Sequence, residues 1–143
     1  MNLISNSRSF SATLDSLDPI RKFLTESGKA AGLDINRIYK LCLAVDEIAT
    51  NIITYAYNEP FQTNRSIQIT VKSDNGVLTV ICEDFGVPFN PLKIPLPGDK
   101  DLSLPIEERP IGGLGIMLAI KNVDEFNYRY ENNKNINIFH IRL

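Results

Sequence analysis

Leu43-Ala-Val-Asp-Glu47-Ile-Ala-Thr-Asn51-Ile-Ile-Thr-Tyr-Ala-Tyr57 is the inner part of one long helical stretch. Asp34 is a good N-cap for that stretch. Asn58-Glu-Pro60 closes it at about Tyr57, because the residue before a proline is pushed out of the helical region. Ile35, Ile38, Leu41, Cys42, Val45, Ile48, Ala49, Ile52 and Ile53 recur at helical spacing and make a broad apolar face that other elements must cover. Glu47 and Asn51 are four residues apart, so they share one face at the edge of that stripe. An amide oxygen placed there suits Mg²⁺, and a carboxylate placed there can take a proton from a nucleophile.

Upstream, about Ser7 to Thr13 alternates loosely and reads as a short edge strand. Asp18-Pro19 then starts a helix, proline being harmless in a first turn. Ile20, Phe23, Leu24 and Ala31 follow at helical spacing, with Gly32 as the stop. Downstream, Ile67, Ile69 and Val71 alternate with polar neighbours. Asp74-Asn-Gly76 makes a hairpin turn, and Val77 to Cys82 is a strand apolar on both faces, as a central strand would be. A helix is expected from Leu114 to about Asn122. Glu125–Tyr130 and Ile136–Leu143 then form a closing hairpin through Glu131-Asn-Asn-Lys-Asn135. The order β-α-α-β-β-loop-α-β-β lacks strict alternation, which disfavours a doubly wound parallel sheet. The expected class is α+β: a two-layer sandwich whose mixed, mostly antiparallel sheet is covered on one face by helices.

Two further segments carry candidate chemistry, each roughly thirty residues beyond the last. Asp84-Phe-Gly86 ends the buried strand. An acid there can accept a hydrogen bond from the exocyclic amine of adenine, and glycine lets backbone approach a ligand closely. Asp84-Phe-Gly86 also spells a protein-kinase motif, but the chain has none of the accompanying kinase motifs and is too short to hold them. Gly112-Gly113-Leu114-Gly115 opens the late helix, where outward backbone N–H groups and the positive end of the helix dipole attract phosphate. It is neither a Walker A loop nor a dinucleotide fingerprint. Between these segments, residues 88–111 hold six of the eight prolines (Pro88, Pro91, Pro95, Pro97, Pro105, Pro110), so regular structure should not persist. A stretch of that kind reads as a lid. Its apolar residues Ile94, Leu96, Leu102, Leu104 and Ile106 either dock a partner or pack back onto the domain.

The chain has 143 residues, 43% hydrophobic and 22% charged, which fits one globular domain over 1–143. A formal net charge of −2 gives no global field for nucleic acid or an anionic membrane. Two cysteines, Cys42 and Cys82, lie among apolar residues and read as free buried thiols in a reducing compartment. The N-terminus lacks a secretory pattern, and no run is long enough to span a bilayer. A cytoplasmic protein without membrane contact is the expectation.

Taken together, the three segments resemble the asparagine box and the two glycine boxes of the Bergerat-fold ATPases. Within that superfamily, Leu43 to Tyr57, Asp84-Phe-Gly-Val-Pro-Phe-Asn-Pro91 and Arg109-Pro-Ile-Gly-Gly-Leu-Gly-Ile116 are most similar to the anti-sigma-factor serine kinases. The resemblance covers Arg8 to Leu143. It implies an ATP- and Mg²⁺-dependent serine-protein kinase that phosphorylates a STAS-domain anti-anti-sigma partner and sequesters a sigma factor. It also implies a homodimer, which patterning does not show. Glu47 matches the general base and Asn51 the Mg²⁺ ligand, acting through the phosphates. Asp84 matches the adenine-reading acid, with Gly86 beside it. Gly112, Gly113, Leu114 and Gly115 match the phosphate-holding turn, and Arg109 matches a basic lid position.

The chain departs from the family in places. Tyr55 stands where many relatives carry a basic residue or histidine, and Asn133-Lys-Asn135-Ile136 lacks the Thr that some relatives use near adenine. A histidine kinase would need a phosphoacceptor, and the single histidine, His140, reads as an ordinary strand residue. Gyrase-, chaperone- and mismatch-repair-type functions would need further domains. The remaining alternative is an ATP-binding regulatory module with little or no kinase activity. Glu47 argues against it, since binding alone needs no base.

Overall fold

The computed structural model describes residues 4–57, 64–93 and 113–143. Most of the expected lid, with Arg109, Gly112 and the apolar residues between Ile94 and Ile106, lies outside the described residues, as does the side chain of Leu114. Strand β1 is Ile4–Ser11, followed by helices α1 (Leu17–Ala30) and α2 (Ile35–Asn51). Strands β2 (Ser66–Asp74) and β3 (Val77–Asp84) come next, then helix α3 (Gly113–Lys121) and strands β4 (Glu125–Glu131) and β5 (Lys134–Arg142).

Among the described residues the five strands form one sheet in the order β1-β2-β3-β5-β4. All four ladders are antiparallel, a simpler arrangement than the mixed sheet expected. The helices lie on one face, as the apolar stripe of α2 requires. Ile38, Leu41, Val45, Ile48 and Ala49 of α2 are buried, with Ile20 and Leu24 of α1 and Ile116 and Ala119 of α3 in the same core. The sheet contributes Ile67, Ile69, Val71, Leu78, Val80, Phe139 and Ile141. Each large apolar side chain of this kind, fully buried, contributes about 1.5–3 kcal/mol. No described helix is long and apolar enough to cross a membrane.

Asp34 caps α2 as expected, its carboxylate accepting from the Arg37 N–H at 2.9 Å. The expected single helix to Tyr57 changes character after Asn51: Ile52–Ala56 is a π turn. The wider turn aims the Ala56 carbonyl at the Val87 N–H, 3.0 Å away. β1 begins at Ile4 rather than Ser7, because its full length pairs with β2 from Ile4↔Ser73 to Ser11↔Ser66.

β3 is central in the sheet, but only one of its faces is buried. Leu78, Val80, Cys82 and Asp84 point inward, while the alternate residues are half-buried. With the described helices on one side, the outer row is shielded among the described residues by its neighbours in the sheet. The Thr79 hydroxyl, for example, meets His140 Nδ1 at 3.1 Å on that outer face. His140 is thus a sheet residue, as expected. Both cysteines are free, Cys82 buried and Cys42 only half-buried between α1 and α2.

The closing hairpin turns more tightly than the five-residue loop expected. Asn132 and Asn133 both take positive φ (53° and 61°), the backbone of a two-residue type I′ turn. Asparagine tolerates that conformation better than other side-chain-bearing residues. As a result β5 starts at Lys134, and Asn135 is a strand residue opposite Asp84.

Candidate functional site

At the end of the sheet where β3 stops, polar residues replace apolar ones on the inward face. Asp84 and Asn135 are directly opposite, and Asn137 follows on β5 opposite Cys82. Asn51, on the last turn of α2, comes down over them. These four, with Ile48, Ile52 and Ala56 from the helix and Phe89 and Pro91 from the following loop, line a pocket. Its enclosed space is about 20 Å³, room for one water molecule. Phe89 stacks on Tyr55, with ring centroids 6.3 Å apart, so the Phe89–Pro91 roof must lift to admit anything larger.

Asp84 is 1% exposed. Its Oδ1 accepts from the Gly86 N–H and from Asn135 Nδ2, both at 2.9 Å. Its Oδ2 has no partner among the described residues. Burial raises the Asp84 pKa, and the bonds from Asn135 and Gly86 offset part of that shift. Asn51 Nδ2 and Asn137 Oδ1 are likewise buried without partners among the described residues. An idle buried polar atom costs about 1–3 kcal/mol, and native proteins carry few of them. Three around one pocket mark a place shaped for a polar ligand rather than for packing.

The loop after β3 is pinned from two sides. Asn135 Nδ2 also donates to the Val87 carbonyl at 2.9 Å, while its Oδ1 accepts from the Phe89 N–H at 3.0 Å and from the Tyr128 hydroxyl. The Tyr57 hydroxyl accepts from the Phe85 N–H at 2.9 Å and donates to the Ser66 carbonyl at 2.7 Å. Gly86 is needed for a packing reason: a Cβ there would lie 2.4 Å from the Ala56 Cβ and 2.5 Å from its carbonyl oxygen. The close approach that Gly86 permits in this structure is to the π turn.

Glu47 lies one turn before Asn51 and belongs to a different neighbourhood. A Cβ on Gly115 would fall 2.2 Å from Glu47 Oε1 and 2.5 Å from Oε2, so the carboxylate rests directly against the bare Cα of Gly115. Gly113 is the first residue of α3, which puts the Glu47 carboxylate at the positive end of that helix. Burial raises the Glu47 pKa, with a smaller contribution from neighbouring Asp46. Asp46 itself is turned outward to Arg21, 2.9 Å away.

Of the residues singled out from sequence, Asn51 and Asp84 therefore share the pocket, Gly86 shapes its wall, and Glu47 and Gly115 meet beside it. Asn51 supplies an amide one helical turn from Glu47, a donor set that fits a cation held mainly by a ligand's own oxygens. Sequence reading noted the stretch around Asn135 only for lacking a Thr, and gave no site role to Asn135, Asn137 or Tyr57. The signal was there in Asn135-Ile-Asn137-Ile-Phe139-His-Ile141: the period-two row that is apolar at 139 and 141 turns polar at 135 and 137.

The model of the histidine kinase-like ATPase domain family matches residues 10–140 of the chain. No curated protein matches it significantly. Among solved structures, that of the RsbU and RsbW domains of Rv1364c from Mycobacterium tuberculosis is similar over 98% of this chain, with a TM-score of 0.66 and 16% sequence identity. The chain spans about a third of that structure's length, 32%, and at this identity the likeness speaks to the fold alone.

Proposed function

Because the chain belongs to the histidine kinase-like ATPase domain family, and so carries an ATP-binding domain, we propose that it is a serine-protein kinase and anti-sigma factor of a partner-switching pathway. It transfers the γ-phosphoryl group of ATP to a serine of a STAS-domain anti-anti-sigma protein, and in its other state it holds a sigma factor, acting as a homodimer in the cytoplasm. The observation that carries this reading is the Glu47 carboxylate at the start of α3, one turn from Asn51 and beside the Asp84 pocket. A domain that only bound ATP has no use for a proton acceptor there. The fold shared with a structure containing an RsbW domain supports the same reading.

In this proposal, the adenine enters the pocket under Phe89 and gives its amine to Asp84, which Asn135 and Gly86 hold in place. The phosphates then lie toward the first turn of α3, where Gly113, Leu114 and Gly115 offer backbone N–H groups, with Gly112 just before them. Asn51 would hold Mg²⁺ together with the phosphates, and the ion would neutralise phosphate charge. Glu47 accepts the proton of the attacking serine hydroxyl. Phosphoryl transfer asks mainly for positioning and charge neutralisation, so a small site can perform it. Residues 88–111 act as the lid over the nucleotide, with Arg109 reaching the γ-phosphate or the partner.

The test is to incubate the purified protein with γ-labelled ATP, Mg²⁺ and lysate of the source cell, beside a Glu47→Ala control. A labelled protein of STAS-domain size, absent in the control, is the expected result. No label, with ATP bound by both proteins, overturns the kinase and leaves an ATP-gated binding module.

Gly115→Ala offers a second check. The new methyl group displaces only the far end of the flexible Glu47 side chain. Alanine also favours a helix over glycine by about 1 kcal/mol. The melting temperature is therefore expected to hold or rise while phosphotransfer falls at least about ten-fold, through misplacement of the base. Full activity in Gly115→Ala would separate Glu47 from the chemistry.

A further inference from the structure

Asn135 and Asn137 both face the pocket from β5, yet they are used in opposite ways. Both polar ends of the Asn135 amide are engaged in holding Asp84 and the following loop. Asn137 is 3% exposed, and its Oδ1 has no partner among the described residues. A buried asparagine kept for structure alone would be bonded as Asn135 is. Asp84 Oδ2, on the neighbouring strand and the same face, is idle too.

Two unused acceptors thus line one pocket, from diagonal positions on neighbouring strands. The matching group is one that carries two hydrogens on a single nitrogen. We propose that Asn137 is a base-selecting residue. Its Oδ1 takes the second hydrogen of the adenine exocyclic amine, whose first hydrogen goes to Asp84 Oδ2. Guanine and hypoxanthine put a carbonyl oxygen where adenine has its amine. That oxygen would face two acceptors, so the same pair that recognises adenine rejects the oxo purines. The inference rests on the ATP-binding reading of this pocket.

The experiment is calorimetric titration of the full chain with ATP, N6-methyl-ATP and ITP. N6-methyl-ATP keeps one amine hydrogen, and ITP keeps none. Wild type is expected to bind ATP about ten-fold tighter than N6-methyl-ATP and about a hundred-fold tighter than ITP, on the order of ten-fold per hydrogen bond. Asn137→Ala should lose about ten-fold for ATP, bind ITP as tightly as wild type or tighter, and bind ATP and N6-methyl-ATP alike. Its melting temperature should stay at or above that of wild type, since the Asn137 Oδ1 has no partner among the described residues.

N6-methyl-ATP binding as tightly as ATP in wild type overturns the inference. So does an equal loss for all three nucleotides in Asn137→Ala. In either case ATP still binds and the pocket reading stands, whereas a wild type that binds none of the three removes both. Should Asn137→Ala fail to fold, the proposed idle role is wrong.

Discussion

Replacing Asp84 with asparagine is expected to weaken ATP binding at least about a hundred-fold while raising the melting temperature. Asparagine keeps the internal duties of the residue. Its Oδ1 can still accept from Gly86 N–H and Asn135 Nδ2, the two bonds that fix Asp84 now. What changes is the atom facing the pocket, where the idle acceptor Oδ2 becomes an N–H donor. A donor set against the adenine amine loses one bond and adds a repulsion, about 3 kcal/mol together. In the ligand-free protein, however, burying a neutral amide costs less than burying a carboxylate. A gain of about 1–2 kcal/mol, or roughly 3–6 °C, follows.

The size of that gain depends on pH. Burial raises the Asp84 pKa above its unfolded value. The folded protein therefore holds its proton over a window where the unfolded chain, with a pKa of about 4, has lost it. Raising pH through that window costs the wild type stability, whereas the Asp84→Asn variant has no proton to lose at this position. The two proteins should melt together below about pH 4 and diverge as pH rises through the raised value. Melting curves at several pH values, with ATP titrations at neutral pH, check both halves. A less stable Asp84→Asn would mean the carboxylate holds the fold together rather than waiting for a ligand.

Glu47→Gln is expected to reduce phosphotransfer to the partner serine by about 10²–10⁴-fold, the usual value of a positioned base. ATP affinity should stay within about three-fold, because Glu47 lies against Gly115 and outside the Asp84 pocket. The wild-type rate should also carry a pH signature. Burial raises the Glu47 pKa, so the protonated, inactive form persists to higher pH than for an exposed glutamate. Activity should rise with pH through a midpoint above about 4.3, and the residual Glu47→Gln rate should lack that step. Single-turnover transfer from labelled ATP measures both. An unchanged rate in Glu47→Gln would remove the base from the proposal.

Much of this was legible in local pattern, because helix and strand periods are written in neighbouring residues. The apolar stripe of α2 and its Asp34 cap foretold the helix. The Asp74-Asn-Gly76 turn foretold the β2–β3 hairpin, and the absence of strict alternation disfavoured a doubly wound sheet. Where expectation and structure differ, the deciding partner is remote in sequence. The π turn at Ile52–Ala56 is accompanied by the Val87 N–H and by the bare Cα of Gly86. Asn135 reads as loop on local pattern, because five polar residues run together where two suffice for the turn. The tighter turn moves it onto the strand opposite Asp84.

The sequence by itself determined which side chains could do chemistry, Glu47, Asn51 and Asp84 among them, and on which element each would lie. Periodicity, caps and turns are properties of adjacent residues, so a single chain states them. Only the tertiary structure decided which atoms are already spoken for. Asn135 and Asn137 are the same residue type two places apart on one strand, and nothing local distinguishes them. One is consumed in bracing Asp84 and its loop, while the Oδ1 of the other lies idle in the pocket. That division depends on how far β5 slides along β3, a register set by a two-residue turn and by Phe139 and Ile141 seeking the core.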